Sequence, residues 1–192
     1  VSWSLIRVSL VALIPTMVLY LAPRWWIIDL SAVFIGAVCA SLFGISLGLI
    51  PVLILLVALA IYDFISVYKT KHMITLAEGV MRLRIPILFV IPKRGRFSVD
   101  GKLGEDAYYM GLGDAVFPSI LAVSANLPSL NPWLEGVATI GFVTLPCLGT
   151  LIGTLVGYGI LSTFVGKGKP HAGLPLLNGG AIVGFLLGFV LG

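Results

Sequence analysis

The fold is decided by apolar stretches such as GLIPVLILLVALAIYDFISVY at residues 48–68, in which Asp63 is the one charged residue. A helix needs about 20 apolar residues to cross the hydrocarbon core of a bilayer. Similar stretches lie near residues 2–22, 27–44, 107–126, 136–165 and 174–192. In chain order the stretches are spans A to F, with residues 48–68 as span C. The sequence therefore predicts an all-α, polytopic membrane protein with about six transmembrane helices.

The composition leaves too few charged residues to cover a soluble domain. Hydrophobic residues make up 59% of the chain and charged residues 10%, whereas soluble domains carry about 25% charged residues. We therefore expect the lipid bilayer to surround a single transmembrane domain over residues 1–192, with a polar, basic connector at residues 69–106. The net charge is +4, and the charged residues lie mainly in short loops between the spans. We therefore expect the basic residues to set the membrane topology and expect no nucleic-acid partner. A homo-oligomer is compatible with this composition.

The distribution of basic residues predicts the orientation of the spans. Eight of the twelve basic residues lie between spans C and D, and none lies between residues 126 and 135. Because cytoplasmic loops carry an excess of Lys and Arg, we expect a multi-pass protein with the C–D connector cytoplasmic and the C-terminus outside.

Glycines recur at every fourth position in two of the spans. Span E has Gly149, Gly153 and Gly157, while span F has Gly180, Gly184 and Gly188. Small residues at this spacing let membrane helices approach closely. The pattern predicts close helix packing on these two faces. Span E is also too long for an untilted crossing, which predicts a helix that tilts or projects from the membrane.

Two carboxylates, those of Asp63 and Asp114, are embedded in apolar sequence, whereas the other six acidic residues lie at span ends or in the connector. A carboxylate in a membrane helix is costly and marks a functional site by default. Asp63 precedes Lys69 by six residues and Asp114 follows Asp106 by eight, which places them about 9 and about 12 Å from the same boundary. Antiparallel spans C and D can therefore bring the two carboxylates face to face.

Such a pair suits general acid–base hydrolysis of a peptide bond. Two close carboxylates share a proton, so the ionised member activates water and the protonated member donates to the carbonyl oxygen. This chemistry needs no cofactor and no metal, and His72 and His171 are isolated from other metal-binding side chains. The same pair could instead carry protons or bind a cation, so a transporter or channel is the alternative.

The neighbours of the two aspartates add further candidates. Gly111 and Gly113 flank Leu112 just before Asp114, and their missing side chains would let another backbone come close. Pro118, one turn later, predicts a kink. Tyr62 either hydrogen-bonds within the site or packs between helices.

Three motifs in order resemble those of one known family. Tyr62-Asp63 resembles the YD motif, and Gly111-Leu112-Gly113-Asp114 resembles the GxGD motif, of presenilins and signal peptide peptidases. Ala172-Gly173-Leu174-Pro175-Leu176 occupies the place of their PAL motif, with Ala172 and Gly173 where Pro and Ala are usual. The order of the motifs and apolar spans most resembles that of archaeal presenilin homologues.

This resemblance implies a fold, an activity and a set of site residues. Spans A to F would correspond to the fourth to ninth helices of a nine-helix fold. The activity would be that of an intramembrane aspartyl protease, with Asp63 and Asp114 catalytic and a transmembrane protein or peptide as substrate. Substrate binding would involve Tyr62 and residues 111–113 and 173–176. Prepilin peptidases also pair an aspartate with a GxGD motif, but the third motif argues against them.

Two segments are candidates for holding an unwound substrate. Arg84–Pro92 is apolar and bounded by prolines, yet it is too short to span a bilayer. Pro170 and Pro175 oppose regular helix between them, which would leave backbone groups free. We expect this segment and the Leu174-Pro175-Leu176 loop to form edges to which a substrate adds as a strand. The alternative for Arg84–Pro92 is a hydrophobic patch that rests on the membrane.

Overall fold

The computed structural model describes residues 25–67, 88–92, 107–165 and 172–192, together with Leu13, Met17 and Leu21. Within span A these three residues are helical. The rest of span A, and most of the connector at 69–106, lie outside the described residues.

The described chain is mostly helical. Its helices are α1 (Trp25–Ser46), α2 (Leu49–Ile65), α3 (Leu112–Ala125), α4 (Leu145–Val165) and α5 (Leu174–Leu191). Its strands are β1 (Leu88–Pro92), β2 (Ala107–Gly111), β3 (Thr139–Ile140) and β4 (Val143–Thr144), and two short 3₁₀ turns cover Pro128–Leu130 and Pro132–Leu134. By length and composition, α1, α4 and α5 can cross a membrane, whereas α2 and α3 are apolar but shorter. The predicted apolar helices of spans B, C and F are present, and the count of six spans stays a prediction.

The prediction of helix throughout span D was wrong. Residues 107–111 form β2, which pairs antiparallel with β1 from Leu88↔Gly111 to Pro92↔Ala107. Tyr108 and Tyr109 favour strand, and a partner strand from the connector satisfies the backbone of β2. The fold is therefore not purely α-helical, and α3 begins only at Leu112. That helix continues through Pro118 to Ala125.

The helix of span E is shorter than its apolar length predicted, and its tilt stays a prediction. Residues 139–144 form the β3–β4 hairpin, and α4 begins at Leu145 with a length of 21 residues. Gly136 and Gly141 have φ angles of 83° and 67°, a left-handed conformation that interrupts a helix and favours glycine. The excess length of span E is therefore a hairpin before the helix.

The chain divides into two compact units, Val1–Ile35 with Glu78–Leu112, and Gly36–Ala77 with Gly113–Gly192. In the first unit, β1 and β2 form a two-stranded sheet. In the second unit, one apolar core joins α2, α3 and α5 through fully buried side chains that include Leu56, Leu121 and Ala181. This core holds together the helices that carry the two embedded aspartates.

The glycine faces of spans E and F pack directly against each other. A Cβ atom added to Gly149 would collide with the carbonyl oxygen of Gly184, and one added to Gly153 would collide with that of Gly180. The same holds in the opposite direction, from α5 towards α4. The predicted close packing is therefore found between α4 and α5. The outer surfaces of these helices expose large apolar side chains such as Leu155 and Val190, as expected where lipid is the solvent.

Candidate active site

Asp63 lies in the last turn of α2 and is 3% exposed. Its Oδ2 accepts a hydrogen bond of 3.1 Å from the backbone N–H of Leu174, the first residue of α5. The first N–H groups of a helix lack partners within the helix, and the helix dipole favours an anion there. Because Gly173 has no side chain to cap α5, the Asp63 carboxylate takes that place from a different helix.

Asp114 lies in the first turn of α3 and is half-buried. This position also favours a carboxylate, since the N-terminal end of a helix is electropositive. A Cβ atom built on Gly173 would lie 3.4 Å from Asp114 Oδ2. The Gly173 backbone therefore lies against the second carboxylate.

Both aspartates thus lie against the same two residues, Gly173 and Leu174. The Leu174 amide binds Asp63, and the Gly173 backbone lies beside Asp114. Counting residues from a shared membrane boundary predicted that the two carboxylates face each other, which stays a prediction. The structure shows that both carboxylates lie against the N-terminal end of α5.

The sequence predicted that another backbone comes close at Gly113, next to Asp114. The structure shows the close backbone at Gly173 instead. Gly113 is half-buried, and an added Cβ would lie 3.2 Å from the Phe117 ring of the same helix. Gly111 ends β2, where it pairs with Leu88, and Leu112 is the half-buried first residue of α3. At Gly113 the space is therefore taken by a side chain of α3, while the backbone approach occurs at Gly173.

The other predicted binding residues occupy two kinds of position. Tyr62 is 70% exposed, so within the described part of the chain it is not packed between helices. Leu174, Pro175 and Leu176 form the first turn of α5, so the expectation that they form a strand-like loop was wrong. Proline is well tolerated in the first turn of a helix, where its missing N–H would be unpaired anyway.

Asn178 is a buried polar residue near the start of α5 that the sequence did not single out. It is completely buried on α5, and its Nδ2 donates a hydrogen bond of 3.0 Å to the backbone oxygen of Leu56. This bond joins α5 to α2 four residues after Leu174. A polar side chain inside an apolar span, such as Asn178, is a sequence signal for a hydrogen bond between helices.

The described residues contain no group of three or more His, Cys, Asp or Glu side chains that could hold a metal ion. The arrangement around Gly173-Leu174 consists of two carboxylates and a helix N-terminus. What it can do chemically is accept and donate protons beside the N-terminal end of α5.

A family model described as signal-peptide peptidase, presenilin aspartyl protease matches residues 2–192. The chain belongs to this family. A solved presenilin family intramembrane aspartate protease is 43% identical over 94% of this chain, with a TM-score of 0.64. The chain spans 59% of the length of that protein. No curated protein matches the chain. The family predicted from the three motifs is therefore confirmed, and the chain is an integral membrane member of the presenilin and signal peptide peptidase family.

Proposed function

We propose that the protein is an intramembrane aspartyl protease in which Asp63 and Asp114 activate water for peptide hydrolysis. The observation that supports this most directly is the convergence of both carboxylates on Gly173-Leu174. Membership of the presenilin and signal peptide peptidase family supports the same reaction class. It does not favour a transporter, a channel or a prepilin-peptidase-like enzyme.

The reaction would use the two carboxyl groups in complementary states. One ionised carboxylate takes a proton from water, and the resulting hydroxide attacks the scissile carbonyl carbon. The other, protonated carboxyl donates to the carbonyl oxygen, and the leaving amine later receives a proton. Each role requires the carboxyl groups to be held near one substrate bond, which the shared contact with the start of α5 supports.

The substrate in this proposal is a transmembrane protein or peptide whose helix is opened before cleavage. β1 and β2 form a two-stranded sheet, and a peptide can add to the edge of such a sheet through main-chain hydrogen bonds. Gly111, at the end of β2, precedes Asp114 by three residues. Strand formation at Leu88–Pro92 supports this part of the Arg84–Pro92 hypothesis; residues 84–87 lie outside the described residues.

The test is cleavage of a model transmembrane peptide by purified protein carrying Asp63→Asn or Asp114→Asn. We expect each variant to lose about 10²- to 10⁴-fold in rate, since each removes one partner of acid–base catalysis. The wild-type rate should follow a bell-shaped pH profile, because at low pH no base remains and at high pH no acid remains.

The matched control is Glu135→Gln, which changes an exposed carboxylate in the α3–α4 connection and should leave the rate unchanged. All variants should elute as one monodisperse species in detergent. Near-wild-type cleavage by either aspartate variant would remove that residue from the mechanism.

A further inference from the structure

Asn131 connects the two helices that carry the aspartates, at the ends opposite to those aspartates. It is 5% exposed and lies between the two 3₁₀ turns. Its Oδ1 accepts a hydrogen bond of 3.0 Å from the N–H of Leu49, the first residue of α2. Its Nδ2 donates to the backbone oxygens of Ser124 and Leu127, at 3.0 and 3.2 Å. One side chain therefore binds the start of α2 and the end of α3.

These bonds take the place of local helix caps. The N-terminal N–H groups and C-terminal carbonyl groups of a helix lack partners within the helix. Gly48, which precedes α2, has no side chain to cap it, and Ser124 lies in the last turn of α3. A carboxamide has two donor hydrogens and an acceptor oxygen, and Asn131 uses both kinds of group. The contact is therefore specific for a short amide side chain.

Each aspartate lies a fixed distance along its own helix from the Asn131 contact. Asp63 follows Leu49 by fourteen residues, or about 21 Å along α2. Asp114 precedes Ser124 by ten residues, or about 15 Å along α3. Because helices are stiff along their axes, an axial shift between α2 and α3 at Asn131 is carried to the aspartates.

We propose that Asn131 is a positioning residue, which fixes the axial register of α2 and α3 and thereby the relative placement of Asp63 and Asp114. The catalytic part of this inference rests on the proposed protease function. The competing explanation is that Asn131 only helps the connection between α3 and α4 to fold.

Asn126 provides a matched control for that explanation. It lies five residues earlier in the same connection, and its Nδ2 donates to the Phe142 oxygen at 3.2 Å. Its Oδ1 accepts from the Thr144 N–H at 2.9 Å. Asn126 therefore makes the same kinds of bond from the end of α3, but to the β3–β4 hairpin instead of α2.

The kinetic experiment compares Asn131→Ala with Asn126→Ala, using kcat per active site and KM for a transmembrane peptide. Active sites are counted with a hydroxyl-bearing peptide isostere that binds both carboxyl groups, so that unfolded protein does not contribute. We expect Asn131→Ala to lower kcat about 10- to 100-fold, as a small misplacement of catalytic groups does, with KM unchanged. Asn126→Ala should keep the wild-type kcat. Asn131→Asp keeps the acceptor for Leu49 but turns a second carboxyl oxygen towards the carbonyl oxygens of Ser124 and Leu127, so it should lower kcat at least as far as Asn131→Ala.

A distance measurement tests the same inference without activity. Nitroxide labels at Ile61→Cys on α2 and Ser119→Cys on α3, with Cys39 and Cys147 replaced by alanine, report the register of the two helices. We expect Asn131→Ala to shift or broaden the distance distribution, and Asn126→Ala to leave it unchanged. If wild-type protein does not cleave, the proposed function fails while this measurement still decides the role of Asn131.

An unchanged distance distribution in Asn131→Ala would overturn the proposal. So would equal losses of kcat in the Asn131 and Asn126 variants, because those would indicate a general effect on the connection. Should Asn131→Ala not purify as a folded protein, Asn131→Ser, whose side chain stays polar and uncharged, provides the same comparison.

Discussion

Gly173 lies against the Asp114 carboxylate, yet the space around it admits a methyl group. An added Cβ would lie 3.4 Å from Asp114 Oδ2 and 3.5 Å from Leu161 Cδ2, which are ordinary contact distances. The backbone of Gly173 is right-handed helical, with φ −80° and ψ −45°. An alanine, the residue that is usual here in the presenilin motif, therefore fits without strain.

We predict that Gly173→Ala keeps cleavage and gains about 0.4–1 kcal/mol of stability, because alanine restricts the unfolded chain. The measurements are the cleavage rate and the thermal unfolding midpoint in detergent. Complete loss of cleavage at equal stability would instead show that substrate or water needs the space beside Asp114.

The two aspartates were predictable because an acidic residue in an apolar stretch is a local property of the sequence. Asn131 was not predictable in the same way. It lies in a proline-containing connection where asparagine is common, and its contact with Leu49 joins residues 82 positions apart. Only the folded arrangement shows that this one amide serves two helix ends.

At the scale of the elements, the sequence identified the apolar segments but misassigned their ends. Counting apolar residues joined 107–111 to α3 and 136–144 to α4. The first segment is a strand because it finds a partner in the connector, and the second contains two left-handed glycines. Hydropathy alone separates neither case from helix, since a short apolar strand and a buried helical turn have similar composition.

The contact between α4 and α5 gives a prediction for single methyl groups. Gly153→Ala would place Cβ against the Gly180 carbonyl oxygen, whereas Gly159, on the same helix, has nothing within 4 Å of an added Cβ. We expect Gly153→Ala to destabilise the protein by about 1–3 kcal/mol through overpacking. Gly159→Ala should be neutral or stabilise by up to about 1 kcal/mol.

Thermal unfolding in one detergent measures both glycine variants. Cleavage should also fall in Gly153→Ala, because α5 presents the Leu174 amide to Asp63. Equal stability of the two variants would contradict the packing described for α4 and α5.

For the whole molecule, the proposed topology places the basic connector in the cytoplasm and the α3–α4 connection on the opposite side. The excess of Lys and Arg between spans C and D is the physical reason. A membrane-impermeant maleimide tests this topology on two single-cysteine variants, Lys93→Cys and Ser129→Cys. In both variants Cys39 and Cys147 are replaced by alanine.

We expect the thiol at position 129 to react in intact spheroplasts, and the thiol at position 93 to react only after permeabilisation. The reverse pattern would invert the predicted orientation. Reaction of both thiols without permeabilisation would change the number of crossings between them.

The glycine contact between α4 and α5 has a consequence for the entropy of assembly. When long side chains interdigitate, each gives up rotamer freedom, whereas glycine has no rotamers to lose. In a bilayer the two helices are already formed before they associate. The glycines therefore lose their backbone conformational entropy when the helices form, and not when the helices pack. Side chains such as Leu155 and Val190 remain exposed on the outer surfaces and keep their rotamers among the lipid chains. The N-terminal end of α5, where both carboxylates lie, is therefore held by a contact that orders few side chains.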